Sequence, residues 1–439
     1  MHPRSLRAAA IVLAALSGVV WWAKKHPKSE TSSSTSTTVK LVDVPADKLQ
    51  QISIKKKDGT TVSLKRQNGK WELTSPEALP ADQDSVSSLT SNLAPMNADS
   101  VVEDKAADFA KYGLTQPALT ISMALADGKT DSVELGDDAP AGSLVYARHA
   151  SSPTVYALSS STKTSFDKSV NDLRDKRLLT FTSDKLTGVE LDAKKGAVGF
   201  AKDSQGDWQI VKPASYRADS FQVEELIRKL QDAKMDLSAS ADDQKKAVSD
   251  FATAQPIATA KVTDANGTQS LELRKAKTDY FAKSSVVNGT YKVASDVGTA
   301  LDKTVDDFRA HKLFDFGFSD PTKLELRNGS SDTTYQKTGQ DWKSNGKTMD
   351  ASSLQAVIDQ LRDLSASSFL ASGFANPTID VTVVSKEGKR TEKVSFAKSG
   401  DKYIAKRENE PSLYEITGKN VDDIIKAFGS VKTASTNKK

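Results

Sequence analysis

Few residues in this chain have the type and spacing that catalysis or metal binding requires. There are four histidines and no cysteine. His149 falls in a predicted strand and His311 in a predicted linker, at positions that do not correspond in the repeat described below. A catalytic or metal-binding histidine needs partner side chains at matched spacing, and neither histidine shows them. We therefore predict no catalytic, cofactor-binding or metal-binding residue.

Three aspartates are the strongest carboxylate candidates for acid–base chemistry. Asp82, Asp219 and Asp350 recur at similar intervals, each directly before an apolar helical pattern. A carboxylate at the N-cap accepts the free N–H groups of the first helical turn, which accounts for all three without a reaction. We interpret them as structural caps.

Three tryptophans recur in step with these aspartates. Trp71, Trp208 and Trp342 each lie in a predicted strand a short distance before the helix. Exposed tryptophans stack on sugars, but a tryptophan between a strand and a helix more often fills the core. We expect core positions and keep glycan stacking as the alternative.

The helices themselves repeat. Apolar residues at positions +4, +7 and +11 from each aspartate form one stripe of an amphipathic helix. The three stripes are Val86, Leu89 and Leu93; Val223, Leu226 and Leu230; and Leu354, Val357 and Leu361.

Turn signals on both sides of each helix complete a unit of roughly 120–140 residues, a common domain size. The expected order is three strands, a helix, a short link, about four strands and a final helix. Strands grouped apart from helices favour an α+β fold with antiparallel sheets. We predict three tandem repeats of about seven strands each, over residues 39–179, 180–314 and 315–431, followed by a disordered tail over 432–439.

The first 28 residues have a different composition. An apolar run between basic residues predicts a short N-terminal transmembrane helix, although about 20 residues would match the bilayer better. A cleaved secretory signal is the alternative. The anchor residues are Ala8, Ile11, Val12, Leu13, Leu16, Val19, Val20, Trp21 and Trp22.

Residues 29–38 are rich in serine and threonine and predict a flexible linker. We expect a single-pass protein of the cell membrane whose body lies in the periplasm. The first 28 residues hold five of the 61 Lys and Arg, so 56 bases face 57 acids in the remainder. This balance gives no basic face for nucleic acid.

The chain resembles the bacterial domain-of-unknown-function family 4340. The resemblance rests on the repeated tryptophan, the loop prolines Pro76 and Pro213, the Ala-Asp helix start, and the run from Tyr112 to Pro117. It implies a membrane-tethered protein with one to several copies of the domain, in some cases alongside ABC-type transport components related to gliding machinery. It implies no catalytic residue.

Together these features predict a non-enzymatic envelope protein that acts as a scaffold or interaction module, with a role as an accessory to such a transport assembly as one form of it. The expected partners are the membrane and an envelope protein, with no cofactor, small-molecule substrate or nucleic acid. The alternatives are a module that binds cell wall or glycan, and a hydrolase with a carboxylate pair in a cleft.

Overall fold

The structure is a computed structural model that describes residues 39–140, 142–238, 241–319 and 321–435. It divides into two compact units, with the boundary between Lys176 and Arg177. Both units consist mainly of antiparallel strands. The first unit contains repeat 1, and the second contains repeats 2 and 3.

The first unit has a nine-stranded sheet in the order β5-β4-β3-β2-β8-β9-β10-β11-β7 and a two-stranded sheet, β1-β6. Its strands are β1 Val39–Val42, β2 Leu49–Lys56, β3 Thr61–Gln67, β4 Lys70–Ser75, β5 Leu79–Pro80, β6 Met96–Ala98, β7 Ser100–Glu103, β8 Leu119–Leu125, β9 Thr130–Asp138, β10 Leu144–His149 and β11 Val155–Ser159. Its helices are α1 Gln83–Leu93, α2 Ser160–Phe166 and α3 Val170–Leu173, with 3-10 turns at Ala46–Lys48 and Phe109–Tyr112.

The second unit has one eight-stranded and one nine-stranded sheet, in the orders β15-β14-β13-β12-β16-β17-β18-β19 and β23-β22-β21-β20-β25-β26-β27-β28-β24. The strands of repeat 2 are β12 Gly188–Ala193, β13 Gly196–Lys202, β14 Trp208–Lys212, β15 Tyr216–Arg217, β16 Gln255–Asp264, β17 Gly267–Ala276, β18 Asp279–Ser284 and β19 Tyr291–Val293. Those of repeat 3 are β20 Lys323–Asn328, β21 Ser331–Thr338, β22 Asp341–Ser344, β23 Lys347–Thr348, β24 Ser368–Leu370, β25 Ile379–Ser385, β26 Arg390–Ser399, β27 Lys402–Arg407 and β28 Leu413–Thr417.

The helices of the second unit are α4 Ser220–Gln231, α5 Ala241–Thr253, α6 Ser295–Leu301, α7 Ala351–Asp363 and α8 Gly418–Gly429, with 3-10 turns at Ser183–Lys185, Val305–Phe308 and Lys386–Gly388. α1, α4 and α7 are the helices predicted from the repeated stripe. Each buries that stripe, as Val223, Leu226 and Leu230 do in α4.

Each large sheet consists of two meanders joined side by side. The first strand of one meander pairs antiparallel with the first strand of the next, as β2 with β8, β12 with β16 and β20 with β25. Alternate residues bury one face, since the side chains of a strand point to opposite faces in turn. In β25 the buried residues include Ile379, Val381 and Val383.

In each repeat, a segment near the C-terminal end hydrogen-bonds to the residue that caps the long helix, which is α1, α4 or α7. The backbone N–H of Asp82 donates to the carbonyl of Leu173, and that of Asp219 donates to Phe308, at 2.8 Å in both cases. In repeat 3, Asp350 makes the same bond to Lys432, also at 2.8 Å. Lys432 therefore belongs to repeat 3 and not to the predicted tail, of which residues 436–439 lie outside the described part.

The segment that enters each repeat pairs with the chain just after the long helix. Leu178 N–H donates to Ala233 at 2.9 Å, and Leu313 N–H donates to Leu364 at 3.0 Å. Leu178 packs in the core of repeat 2, and Leu313 in that of repeat 3. The repeats are therefore 39–176, 177–310 and 311–435, which moves both predicted internal boundaries a few residues towards the N-terminus.

The predicted fold class is wrong in two respects: the share of strands relative to helices, and the number of strands in each sheet. Strands dominate the described residues, and each main sheet has eight or nine strands instead of about seven. The missed strands are short. The two-residue strand β15, for example, pairs with β14, the strand that contains Trp208. β7 and β24 each form an edge strand of a sheet, where the sequence predicted an irregular link.

The prediction of three independent domains behind a transmembrane helix also needs correction. Repeats 2 and 3 form one compact unit. The predicted single-pass location in the membrane is not supported, because no helix in the described part of the chain is long and apolar enough to cross a membrane. The predicted anchor (residues 1–28) and linker (29–38) lie outside the described residues.

We expect Asp219→Ala to lower the free energy of unfolding by about 1 kcal/mol, because it removes the side-chain cap of α4. Denaturant titration followed by circular dichroism measures this change. Glu224→Ala is the matched control, since Glu224 is exposed in the same helix. Equal effects of the two substitutions would contradict a capping role.

A charged cleft between repeats 2 and 3

The three predicted aspartates lie at the N-caps of their helices. Asp82 accepts from Ser85 N–H at 2.8 Å, and Asp219 accepts from Gln222 N–H at 3.2 Å. Asp350 accepts from Ser353 N–H at 2.8 Å, and hydrogen bonds led by that of the Ser352 hydroxyl lower its pKa. Each carboxylate binds the backbone of its own helix, and the structure does not bring the three together in one site.

The three predicted tryptophans are buried. Trp71, Trp208 and Trp342 are 8%, 6% and 7% exposed, and each belongs to the core of its own repeat. At these exposures little of each ring is open to solvent, whereas stacking on a sugar needs an exposed ring face. The glycan alternative therefore loses the side chains on which it was based.

The two internal histidines have separate surroundings. His311 Nδ1 lies 3.0 Å from the carbonyl oxygen of Ala366, and its ring lies 4.7 Å from that of Phe369. His149 contacts Asp131 and Ser151 in repeat 1. Among the described residues, no group of three potential ligands could hold a metal ion.

A cleft of about 660 Å³ opens within the second unit, between repeats 2 and 3. Charged side chains dominate its walls. Its lining is Asp203, Gln205, Asp207, Trp208, Gln209, Arg217, Ala218 and Ser220 from repeat 2, with Asp315, Lys386, Lys389, Arg390 and Arg407 from repeat 3.

Arg217 forms the link between the two repeats at the floor of this cleft. Its side chain, 15% exposed, pairs with Asp315 and places Nε 2.9 Å from Glu410 Oε1. It also donates to the carbonyl of Lys312. Burial opposes its charge, but attraction by Asp315, Tyr414 and Glu410 outweighs burial and raises the pKa of Arg217.

Arg407 extends the network inside repeat 3. Its Nη2 lies 3.2 Å from Glu392 Oε1, its Nε lies 2.8 Å from Glu410 Oε1, and Nη1 donates to the Leu313 carbonyl. The Glu392 side chain is only 3% exposed and also accepts from Asp315 N–H at 2.8 Å. A buried carboxylate stays charged only where such partners replace water.

We define the ion network as the three arginines and three acids that meet here: Arg217, Arg390, Arg407, Asp315, Glu392 and Glu410. Its formal charges cancel. Its hydrogen bonding is incomplete, because neither Arg217 Nε nor Glu392 Oε2 has an aligned partner despite the nearby opposite charges.

The two inner positions of the network have counterparts in repeat 2. Arg407 lies opposite Val394 in repeat 3, and Ser284 lies opposite Leu271 in repeat 2, so Arg407 corresponds to Ser284. Glu392 precedes Val394 by two residues, as Gln269 precedes Leu271, so Glu392 corresponds to Gln269. Gln269 accepts from Thr180 N–H at 2.8 Å, and Ser284 donates to the Leu178 carbonyl. Both repeats therefore use these two positions to hold the backbone of the entering segment, and repeat 3 does so with charges.

The mouth of the cleft carries a group of cations that we call the basic lip: Lys386, Lys389 and Arg390. They flank the β25–β26 hairpin turn. Arg390 lies 3.3–3.4 Å from its nearest acids, longer than the 2.7–2.9 Å of tight charged hydrogen bonds. Among the residues that the structure describes, neither lysine forms an ion pair.

Sequence analysis missed this site because its members are far apart in the chain. One feature of the sequence does point to this site. Glu392 alternates with Val394 and Phe396 on the buried face of β26, so its charge lies on a face that should be apolar. A charge at such a position indicates a buried partner, but the sequence does not indicate which residue it is.

The sequence profile described as "Domain of unknown function (DUF4340)" matches residues 71–207 and 208–383, more than half of the chain. The chain therefore belongs to this family, as its resemblance implied. The first match begins at Trp71 and the second at Trp208, 137 positions later.

No curated protein matches the chain. Among solved structures, the DNA polymerase sliding clamp from Pseudomonas aeruginosa, solved with a ligand, matches at 6% identity over 86% of this chain and 93% of the other. The TM-score of that match is 0.15, too low to support a statement on fold or function.

We expect Arg217→Met to lower the free energy of unfolding of the second unit by about 3–5 kcal/mol, because it leaves Asp315 and Glu410 without this partner. Denaturant titration measures the change. Lys323→Met is the control, because it removes the partially exposed pair with Glu325 and should cost about 1 kcal/mol or less. Similar costs for both would show that the network does not join the repeats.

Tyr414 should make stability fall at alkaline pH. Burial, mainly, raises the pKa of its phenol above the ordinary value of about 10. As the pH rises, Tyr414 therefore loses its proton in the unfolded chain before it does so in the folded chain. The contribution of the buried phenol to the free energy of unfolding is complete below pH about 10 and declines as pH rises. Tyr414→Phe should flatten the decline in thermal stability between pH about 9 and 11. An unchanged profile would contradict this.

Proposed function

We propose that this chain is a protein-interaction module whose cleft between repeats 2 and 3 receives an acidic segment of a protein partner. The observation that carries the proposal is the basic lip. Two lysines that form no ion pair within the described residues, Lys386 and Lys389, lie at the mouth of a cleft whose ion network, which includes Arg390, is electrically balanced. Positive charge that has no tight partner within the protein is available to an approaching carboxylate.

The floor of the cleft supports binding without chemistry. Arg217 and Arg407 each contact two or more acceptors, so neither is free to activate a substrate. The acids among them contact arginine side chains, so they do not form the pair of carboxylates facing a substrate that a glycoside hydrolase requires. The floor instead fixes the distance between the two repeats and gives the lip a rigid base.

The partner that fits best is a protein and not a nucleic acid. Asp203 and Asp207 line the cleft on the side of repeat 2, so a partner must place its acidic residues at the basic lip and other residues against repeat 2, which a protein segment can do and a uniformly charged phosphate backbone cannot. Phe221, 71% exposed, follows Ser220 of the cleft wall in the first turn of α4. Aromatic and arginine side chains are typical of the central part of protein interfaces.

A photo-crosslinking residue placed at Glu387, in the turn that carries the basic lip, tests the proposal. We expect the full-length chain, expressed in its native cells, to form a discrete crosslinked product with one protein. Lys386→Glu with Lys389→Glu should abolish that product, because the lip then repels an acidic segment. Asp127 is the control position, since it lies in the corresponding hairpin turn of repeat 1.

A defined probe gives a second readout. A fluorescent oligoglutamate peptide should bind the full chain in anisotropy measurements, and the double lysine reversal should weaken binding about tenfold or more. Lys129→Glu, in the turn of repeat 1, should leave the affinity unchanged. Equal loss with both variants would show general electrostatic attraction and would contradict a specific cleft.

A further inference from the structure

A row of four serines crosses the main sheet of repeat 1. Ser63, Ser53, Ser122 and Ser132 lie directly opposite one another on β3, β2, β8 and β9. The hydroxyl oxygens of Ser53 and Ser63 are 3.0 Å apart, and those of Ser122 and Ser132 are 3.2 Å apart. The result is a strip of short hydroxyl side chains.

The fold does not require these serines. The corresponding rows of the other two sheets contain long charged side chains and no comparable strip. They are Gly199, Glu190, Lys261 and Ser270 in repeat 2, and Thr334, Glu325, Thr382 and Lys393 in repeat 3. The serine row is thus specific to repeat 1, and packing of the shared fold does not explain it.

A pocket of about 480 Å³ lies over this row. Three of the serines line it, together with Gln51, Thr130 and the three residues Asp131, His149 and Ser151. Apart from Asp131 and His149, the polar groups along these walls are uncharged hydroxyls and an amide. Met123, Ala124 and Ala150 complete the lining, so the walls suit a neutral ligand that carries hydrogen-bonding groups and an apolar part.

Asp131, His149 and Ser151 form one hydrogen-bonded chain at the end of the pocket. Ser151 Oγ lies 2.7 Å from His149 Nδ1, and His149 Nε2 contacts Asp131 Oδ1. Asp131 Oδ1 also accepts from Ser132 N–H at 2.6 Å, which fixes the carboxylate. A carboxylate at Nε2 favours the tautomer whose proton is on Nε2, so Nδ1 offers its lone pair to the Ser151 hydroxyl.

This arrangement replaces the backbone clamp of the other repeats. Asp131 occupies the position of Gln269 and Glu392, and His149 that of Ser284 and Arg407. Those four side chains hold an entering segment. In repeat 1 the two side chains contact each other and Ser151.

We propose that Ser151 is a nucleophile, with His149 as its general base and Asp131 as the residue that positions the imidazole. The order of contacts is that of a serine hydrolase, with the two ring nitrogens exchanged. This inference goes beyond the interaction at the cleft and would add an enzymatic activity in a different unit. The substrate class is a neutral, polar acyl ester.

The reaction needs no group besides water. Ser151 Oγ attacks the ester carbonyl carbon while its proton passes to His149 Nδ1. The bond to the alcohol then breaks, and the alcohol leaves with that proton. Water repeats the sequence on the acyl-serine, which releases the carboxylic acid and restores the Ser151 hydroxyl. Gln51 and Ser53 line the pocket and carry the N–H and O–H donors that a developing oxyanion requires.

Reaction of the full-length chain with a fluorophosphonate probe tests the proposal. We expect the probe to label Ser151, as located by peptide mass spectrometry. Ser151→Ala should abolish labelling, and His149→Phe should slow it about a hundredfold or more. Asp131→Asn should slow labelling and Asp131→Glu should restore part of it, which a merely structural role would not produce. Ser152→Ala is the control and should leave labelling unchanged.

Heat-unfolded protein provides the reference for intrinsic serine reactivity. Labelling of Ser151 in the folded chain should be at least a hundredfold faster than in the unfolded chain, and circular dichroism of each variant confirms that it is folded. Labelling no faster than in the unfolded chain, or equal labelling in His149→Phe, would overturn the proposal.

Discussion

The second unit depends on capturing the backbone of the segment that leads from repeat 2 into repeat 3. Glu392 accepts the N–H of Asp315, and Arg407 donates to the carbonyl of Leu313. Arg217 of repeat 2 then pairs with Asp315 itself. Because these charges are largely removed from water, each depends on the others, and loss of one partner leaves a buried charge uncompensated. The ion network is therefore one of the contacts that join the cores of repeats 2 and 3.

The same two positions of the sheet have acquired three different chemistries. Repeat 2 holds its entering segment with neutral side chains, Gln269 and Ser284. Repeat 3 uses Glu392 and Arg407 in the same place, and this choice allows coupling to Arg217. Repeat 1 carries Asp131 and His149, which bind each other. These two positions thus serve as a neutral clamp in repeat 2, a charged clamp in repeat 3 and part of a hydrogen-bonded chain that ends at Ser151 in repeat 1.

The sequence predicts the repeated parts of the fold because those parts depend on local patterns. The helix stripe, the aspartate at its start and the buried tryptophan recur together, and periodicity and capping are properties of short segments. Short strands such as β15 have too few residues to show alternation, so the strand count was too low. The ion network joins residues from Arg217 to Glu410, and pairing over such a distance leaves no local pattern. The serine row could not be predicted for the same reason, since its members lie on four strands and become neighbours only through the pairing register of those strands.

Repeats 2 and 3 should unfold as one unit, because the ion network joins them. Native-state hydrogen exchange of the full chain measures the opening free energy of each core separately. We expect the slowest amides of β12 and β16 to open with the same free energy as those of β20 and β25, and to respond equally to denaturant. Clearly different opening free energies for the two sheets would contradict it.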